Sequence, residues 1–194
     1  MGEDGAMARI PYPDPDTLEP ATVEFLERLP DLNIFRMLAG GEGLLAAFGR
    51  FGNHLLYKTA LDPVLREIAI VRVGVVTGAS YELHQHEEIS RRLGMSEELL
   101  EAVREGQGAS GLDELQAKVV AYTDDLIANV RASDATFDPL RRALTTRELQ
   151  ELTVTIGFYL AVARYLETFG VDIEEPGQTP GITMPATGTV QRDE

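Results

Sequence analysis

The sequence predicts an all-α protein, and two kinds of observation support this fold class. Apolar residues recur near positions i, i+3, i+4 and i+7, for example in the segment 42–57. Signals for helix starts also precede predicted helices. Asp62-Pro63 is a good pair for an N-cap and first turn, and Thr145 with Glu148 has the spacing of a capping box. A bundle of helices is therefore expected.

Nine helices are predicted in chain order. Their expected ranges are 20–29, 33–39, 42–57, 63–78, 81–93, 96–106, 113–130, 134–144 and 146–169. The fourth is rich in β-branched residues and could suggest a strand, but its length favours a buried helix that stops at Gly78. Ser80 is expected to cap the fifth helix.

The predicted helices at 63–78 and 146–169 are apolar on most of their circumference. Such a helix lies either in the centre of a fold or at a subunit interface, and two exceed what one small core covers. A homo-oligomer is therefore expected. Residues 20–171 form one predicted helical domain, between an extended, proline-rich N-terminal arm at 1–19 and a C-terminal tail at 172–194 without periodicity.

The composition argues against several functions. The formal net charge of −15, from 17 basic and 32 acidic residues, argues against a nucleic-acid partner. No apolar run approaches the length of a membrane span, and the acidic N-terminus lacks a secretory signal, so a cytoplasmic location is expected. The absence of cysteine excludes disulfides, thiolate catalysis, thiolate-bound zinc and cysteine-bound iron–sulfur clusters.

Helical phase brings out one candidate site. Glu82 and His86 lie one turn apart on the apolar face of the fifth helix. Glu67 shares a stripe of the fourth helix with Gly74 and Gly78, which leave volume for a facing helix or a small ligand. A hairpin turning at Gly78 would bring Glu67 towards the other two groups, and their convergence predicts a proton-transfer site.

A purely structural interpretation is also open. A glutamate and a histidine at i and i+4 commonly form a surface pair. A buried Glu67 could simply neutralise Arg66 or Arg72.

The leading hypothesis is cofactor-independent acid–base catalysis on a small carboxylated or carbonyl compound. His86 would move the proton, Glu82 would orient it and set its tautomer, and Glu67, if buried, would act as the acid. The further candidates for binding substrate are Tyr81, Arg72 and His54. Tyr81 could equally be a packing aromatic, and Arg72 an interface or salt-bridge residue.

Two alternatives remain open from the residues alone. One is a metal site made by Glu67, Glu82 and His86, with His84 or His54 as a further ligand. His84 lies about 200° round the helix from His86, so these two would not easily share a metal. The other is a non-catalytic oligomer that binds a ligand or has a structural role.

The run from Leu65 to Val103 resembles the carboxymuconolactone decarboxylase/alkylhydroperoxidase D-like (AhpD-like) superfamily, and a looser similarity extends over residues 20–171. The resemblance implies the AhpD-like helical fold and an assembly of trimers built into hexamers, or of dimers. It identifies Glu67 with the upstream glutamate of the peroxidase branch and His86 with its histidine.

The two cysteine positions of that branch fall on Ala79 and Glu82, so its thiol peroxidase activity is expected to be absent. The segment SYELHQH is similar to a Tyr-Glu-Trp-x-x-His variant, with Leu83 in place of the tryptophan. The decarboxylase branch works without cysteine, metal or organic cofactor, by means of acidic and histidine side chains. The resemblance therefore also implies acid–base chemistry without a cofactor.

Overall fold

The computed structural model describes residues 8–174, and this part of the chain is all-helical, with no strand. A short 3-10 helix at Pro15–Thr17 precedes nine α-helices. Their bounds are α1 Pro20–Leu26, α2 Asn33–Leu38, α3 Leu44–Tyr57, α4 Pro63–Thr77, α5 Ser80–Arg92, α6 Glu97–Glu105, α7 Glu114–Ala128, α8 Asp134–Ala143 and α9 Thr146–Phe169. The predicted fold class and the order of the helices are confirmed.

The predicted helix ends are largely confirmed. The Asp62 side chain accepts hydrogen bonds from the first backbone N–H groups of α4, and Gly78 ends that helix with a left-handed φ of 71°. Thr145 and Glu148 form the capping box of α9. The prediction for Ser80 is wrong. The turn after α4 holds so few residues that Ser80 already lies inside α5, and the N-cap is Ala79, which has no capping side chain.

Helix α4 is the central helix of the fold. It packs against α5, α6, α7 and α9, and Ile68, Ile70 and Val73 on its different faces are fully buried. This explains its apolar circumference without a partner subunit. Helix α9 differs, because Val154 on its outer face is 43% exposed. The homo-oligomer therefore stays a prediction.

The two ends of the described chain lie together. The backbone N–H of Arg9 donates to the carbonyl of Phe169 at 2.8 Å, and the Tyr12 hydroxyl hydrogen-bonds to Asp172. Packing extends past the predicted boundary at 171, since Glu174 is buried. Residues 1–7 of the predicted arm and 175–194 of the predicted tail lie outside the described residues.

None of the helices between residues 8 and 174 combines the length and the apolar character needed to cross a membrane.

Candidate active site

The hairpin of α4 and α5 brings the predicted residues together through a close helix contact at Gly74. A Cβ atom at Gly74 would lie 3.0 Å from the Leu83 side chain, so the space on this side of α4 is filled by the facing helix rather than by a ligand. At Gly78 an added Cβ would meet no atom within 4 Å. The role of Gly78 is therefore the left-handed turn, which few other residues adopt readily.

Glu67 lies at the centre of a buried charged group. His86 Nδ1 donates to Glu67 Oε2 at 2.7 Å, and Arg66 Nε donates to Glu67 Oε1 at 3.1 Å. None of the three residues is more than 7% exposed. Because a carboxylate only accepts, the proton of a neutral His86 sits on Nδ1, and Nε2 is left as the basic nitrogen. The structural interpretation, in which Glu67 neutralises Arg66, is thus also correct for that pair.

The structure changes the partner that was expected for His86. The prediction that Glu82 orients His86 is wrong, because the hydrogen bond comes from Glu67 on the neighbouring helix. Side chains at i and i+4 of one helix can pair, but here Nδ1 of His86 is engaged by Glu67 on the facing helix. The orienting role therefore passes to Glu67.

Glu82 is a buried carboxyl without a hydrogen bond. It is 2% exposed, and neither of its oxygens has a hydrogen-bond partner in the part of the chain that the structure describes. Burial raises the pKa of Glu82 from its ordinary value of 4.5 to about 9. Glu82 is therefore protonated near neutral pH and can act as a hydrogen-bond donor or an acid, the role that was expected of Glu67.

Glu82 and His86 both line a cavity of about 170 Å³ between α2, α3, α5 and α9. Most of its wall is apolar and includes Ile34, Phe35, Phe48, Leu56, Ile89 and Phe158. The imidazole of His86 packs edge-on against Tyr159, with ring centroids 4.8 Å apart and an interplanar angle of 86°. This contact and the bond to Glu67 together hold the ring in one orientation.

A second polar cluster lies beside the cavity and includes a residue that the sequence did not suggest. Glu174 accepts hydrogen bonds from the Tyr81 hydroxyl at 2.5 Å, from Gln85 Nε2 at 2.5 Å and from the backbone N–H of Asn33 at 2.7 Å. Burial, and next the bond to Glu174, raise the pKa of Tyr81. Tyr81 and Gln85 also line the cavity, so Glu174 holds part of its polar wall.

The sequence analysis missed both Gln85 and Glu174, and the two residues differ in the sequence signal that could have identified them. Gln85 lies three residues after Glu82 and four before Ile89, and this helical phase could have identified it. Glu174 lies in a stretch without periodicity, and nothing in the sequence marks it.

Arg72 and His54 lie away from the cavity, so the structure does not support them as substrate-binding residues. Arg72 forms an ion pair with Asp124 at 2.6 Å and donates to backbone carbonyls at the end of α6, which ties α4 to α6 and α7. His54 is exposed on α3, while its neighbour Asn53 lines the cavity. Arg72 follows Glu67 by five residues, which places it about 140° round α4 from Glu67.

The metal-site alternative finds no ligand set between residues 8 and 174, where no three His, Asp or Glu side chains form a group that could hold a metal ion. Arg66 and His86 each donate a hydrogen bond to one oxygen of Glu67, so these oxygens and Nδ1 of His86 are already engaged with one another.

Solved structures share this fold. An uncharacterized peroxidase-related protein with an alkylhydroperoxidase AhpD core, from Ralstonia eutropha JMP134, superposes with a TM-score of 0.75 at 19% identity, over 87% of this chain and 93% of that chain. A peroxidase-related protein from Silicibacter sp. TM1040 gives a TM-score of 0.73 at 20% identity, over 92% and 96% of the two chains. A protein of unknown function from Agrobacterium tumefaciens gives 0.64 at 18% identity, over 79% and 98%. The chain is thus an all-helical protein of the AhpD-like fold.

A sequence comparison finds a family that one segment of the chain resembles. Residues 42–125, which contain α3 to α6, the hairpin of α4 and α5 and most of α7, match the carboxymuconolactone decarboxylase family. No curated protein matches the chain. This segment of the chain is thus similar to the carboxymuconolactone decarboxylase family, and the sequence contains no cysteine.

Proposed function

We propose that this protein catalyses proton transfer at a carbon next to a carbonyl group, by means of its own side chains and without a cofactor. One observation carries the proposal: Glu82, whose buried carboxyl has no partner, and His86, whose Nδ1 is paired with Glu67, line the same cavity. Glu82 is a protonated acid near neutral pH, and His86 presents its basic Nε2. Enzymes commonly combine an acid and a base of this kind for enolisation.

In the proposed step the substrate loses one proton to His86 and gains one proton from Glu82. His86 Nε2 takes the proton from the carbon next to the carbonyl, and the electron pair of that C–H bond forms a carbon–carbon double bond. The carbonyl π pair becomes the new O–H bond, with the proton supplied by Glu82. An enol results, together with a Glu82 carboxylate and a His86 imidazolium. Return of a proton to carbon completes an exchange or an isomerisation. In a decarboxylation the C–C bond to a carboxylate would break instead of the C–H bond, its electron pair would form the enol, and CO₂ would leave.

The buried charges favour this step. Glu67 already accepts the hydrogen bond of His86 Nδ1, so it stabilises the imidazolium as it forms. The loss of a proton from Glu82 balances the gain at His86, and the net charge of the buried group stays constant. A change in buried net charge would cost considerably more in this apolar surrounding.

Deuterium exchange tests the proposal. The unaltered chain is incubated in D₂O with cyclic, aromatic and linear ketones, and loss of the proton signal next to the carbonyl is followed by NMR. We expect His86→Ala and Glu82→Gln each to slow the exchange by about 100-fold or more. His84→Ala is the matched control, because His84 lies on the exposed face of the same helix, and it should leave the rate unchanged.

Two results would contradict the proposal. One is exchange by His86→Ala at the unaltered rate, which would remove the assigned base. The other is the absence of exchange above background for the unaltered chain with every ketone, which would favour a non-catalytic, ligand-binding role.

A further inference from the structure

The cavity has the size of a single ring. Its volume is about 170 Å³, and an apolar protein cavity of roughly 150 Å³ is large enough to bind benzene. Phe35, Phe48 and Phe158 are among the apolar residues that line it, and Glu82 and His86 are among the polar ones. A bound molecule would thus place an apolar body among the aromatic rings and a polar group at Glu82.

The charges around the cavity select against an anion. No lysine or arginine is found among the described residues that line it. Arg66, beside the site, is engaged by Glu67, and Arg72, which lies away from the cavity, is engaged by Asp124. A buried carboxylate without a cation pays a large desolvation cost. A carboxylate beside Glu82 would raise the pKa of Glu82 further, because like charges disfavour each other, and the charge of the ligand would remain without a cation.

The carboxyl of Glu82, which has no hydrogen-bond partner, favours a ligand with an uncharged hydrogen-bond acceptor. A neutral carboxyl has one O–H donor, and a buried donor without an acceptor is costly. A carbonyl oxygen accepts such a bond without bringing a charge. Glu82 is nine-tenths buried or more and lines the cavity, so a carbonyl compound inside the cavity could satisfy it.

We infer that this cavity takes an uncharged carbonyl compound of single-ring size, such as a cyclic ketone, and rejects the ring carboxylate of matched size. The inference rests on the proposed function for the donor role of Glu82, but it concerns binding and not turnover. It narrows the proposed chemistry to exchange or isomerisation, because a decarboxylation substrate would bring its own carboxylate into the cavity.

Matched probes test the inference at neutral pH. Cyclohexanone and cyclohexanecarboxylate share one ring and differ in charge, and saturation-transfer NMR measures the Kd of each. We expect cyclohexanone to bind at least ten-fold more tightly than the carboxylate. Glu82→Leu removes the donor and should weaken cyclohexanone binding about ten-fold, whereas Glu82→Gln keeps an N–H donor of similar shape and should retain most of it.

A blocking variant locates the bound probe. Gly52 lines the cavity, and a Cβ there would lie 3.6 Å from the Phe158 ring, so Gly52→Leu should fill the space and abolish binding. Gly157→Ala is its control, because an added Cβ at Gly157 meets no atom within 4 Å. The Glu82 pair remains an independent test if Gly52→Leu does not fold, which circular dichroism reports.

Each outcome decides between the two proposals. Equal or tighter binding of the carboxylate overturns the inference, as does cyclohexanone binding that Glu82→Leu leaves unchanged. Binding of cyclohexanone without any deuterium exchange upholds the inference and contradicts the proposed function. Deuterium exchange on a charged substrate, by a chain that does not bind cyclohexanone, upholds the proposed function and contradicts the inference.

Discussion

His86 Nδ1 lies 2.7 Å from Glu67 Oε2 across the contact between α4 and α5, whereas the carboxyl group of Glu82, on the same helix as His86, makes no hydrogen bond to any residue from 8 to 174. The two carboxyl groups of the site therefore have opposite surroundings. Glu67 has a donor on each oxygen, while Glu82 has an apolar environment. Such a difference assigns separate roles to two residues of the same type.

The stability of Glu82→Gln relative to the unaltered chain should increase as the pH rises. With a native pKa of about 9 against an ordinary 4.5, Glu82 keeps its proton in the folded state after the unfolded chain has lost it. The free energy of unfolding of the unaltered chain should therefore fall relative to Glu82→Gln across this pH range. The slope is at most about 1.4 kcal/mol per pH unit.

Urea denaturation of both chains at intervals from pH 5 to pH 9 measures this difference. Other titrating groups are common to the two chains and cancel in the comparison. A difference that does not change with pH would show that Glu82 ionises normally. The same variant should lose activity, so stability and activity would move in opposite directions.

Loss of the Glu67 charge should destabilise the fold. Glu67→Gln leaves the buried guanidinium of Arg66 without its anion, and breaking a buried ion pair costs about 3 kcal/mol or more. The double variant Arg66→Met with Glu67→Gln removes both charges and should recover part of the loss. Denaturation midpoints of the three chains measure the coupling, and additive effects would argue against a shared interaction.

The close contact of α4 with α5 should not tolerate a methyl group at Gly74. Gly74→Ala places a Cβ 3.0 Å from the Leu83 side chain and should lower the Tm. Leu83→Ala, combined with it, should relieve the clash, so that the double variant is more stable than the sum of the two single effects predicts. The control is Gly157→Ala in the open space beside α9, which should raise stability by about 0.5–1 kcal/mol.

Removal of the Glu174 carboxylate should destabilise the protein, because this group holds polar residues beside the cavity. Glu174→Ala leaves the Tyr81 hydroxyl, the Gln85 amide and the Asn33 N–H without their acceptor. Unsatisfied buried donors cost about 1–3 kcal/mol. Urea denaturation measures the loss, and Glu167→Ala on the exposed side of α9 is the control. Equal stability of the two variants would contradict a buried role for Glu174.

The self-association expected from the sequence also has a test. Phe51 and Val154 are exposed apolar residues, and Phe51 packs against Phe158, one turn after Val154. Light scattering should give a mass above the 21.3 kDa of one chain, and Val154→Lys should lower it if this surface is the contact. A mass of one chain for the unaltered protein would contradict the expectation.

Local patterns explain which part of the fold was predictable. The spacing of apolar residues and the capping residues depend on near neighbours in the chain, and they located each helix to within a few residues. Phase along α5 also placed Glu82 and His86 on the buried face. These properties belong to a single helix and need no knowledge of its neighbours.

The pairing within the site depends on how two helices meet, and this was not predictable from phase. The approach of α5 at Gly74 and Leu83 determines that Glu67 reaches His86 and that Glu82 does not. Glu174 depends on a still longer range, since its partner Gln85 lies 89 residues earlier. A pattern with a period of a few residues carries no information on contacts of this separation.

The bond between Arg9 and Phe169 brings the two ends of the helical body to one point on its surface. The chain could accordingly be permuted: a short linker would join these ends, and new termini would open at the exposed Gly108 between α6 and α7. Every helix stays whole in that arrangement, and the hairpin of α4 and α5 moves to the C-terminal half of the chain. Folding of the permuted chain would then show whether the site forms when α7 to α9 are synthesised before α4 and α5.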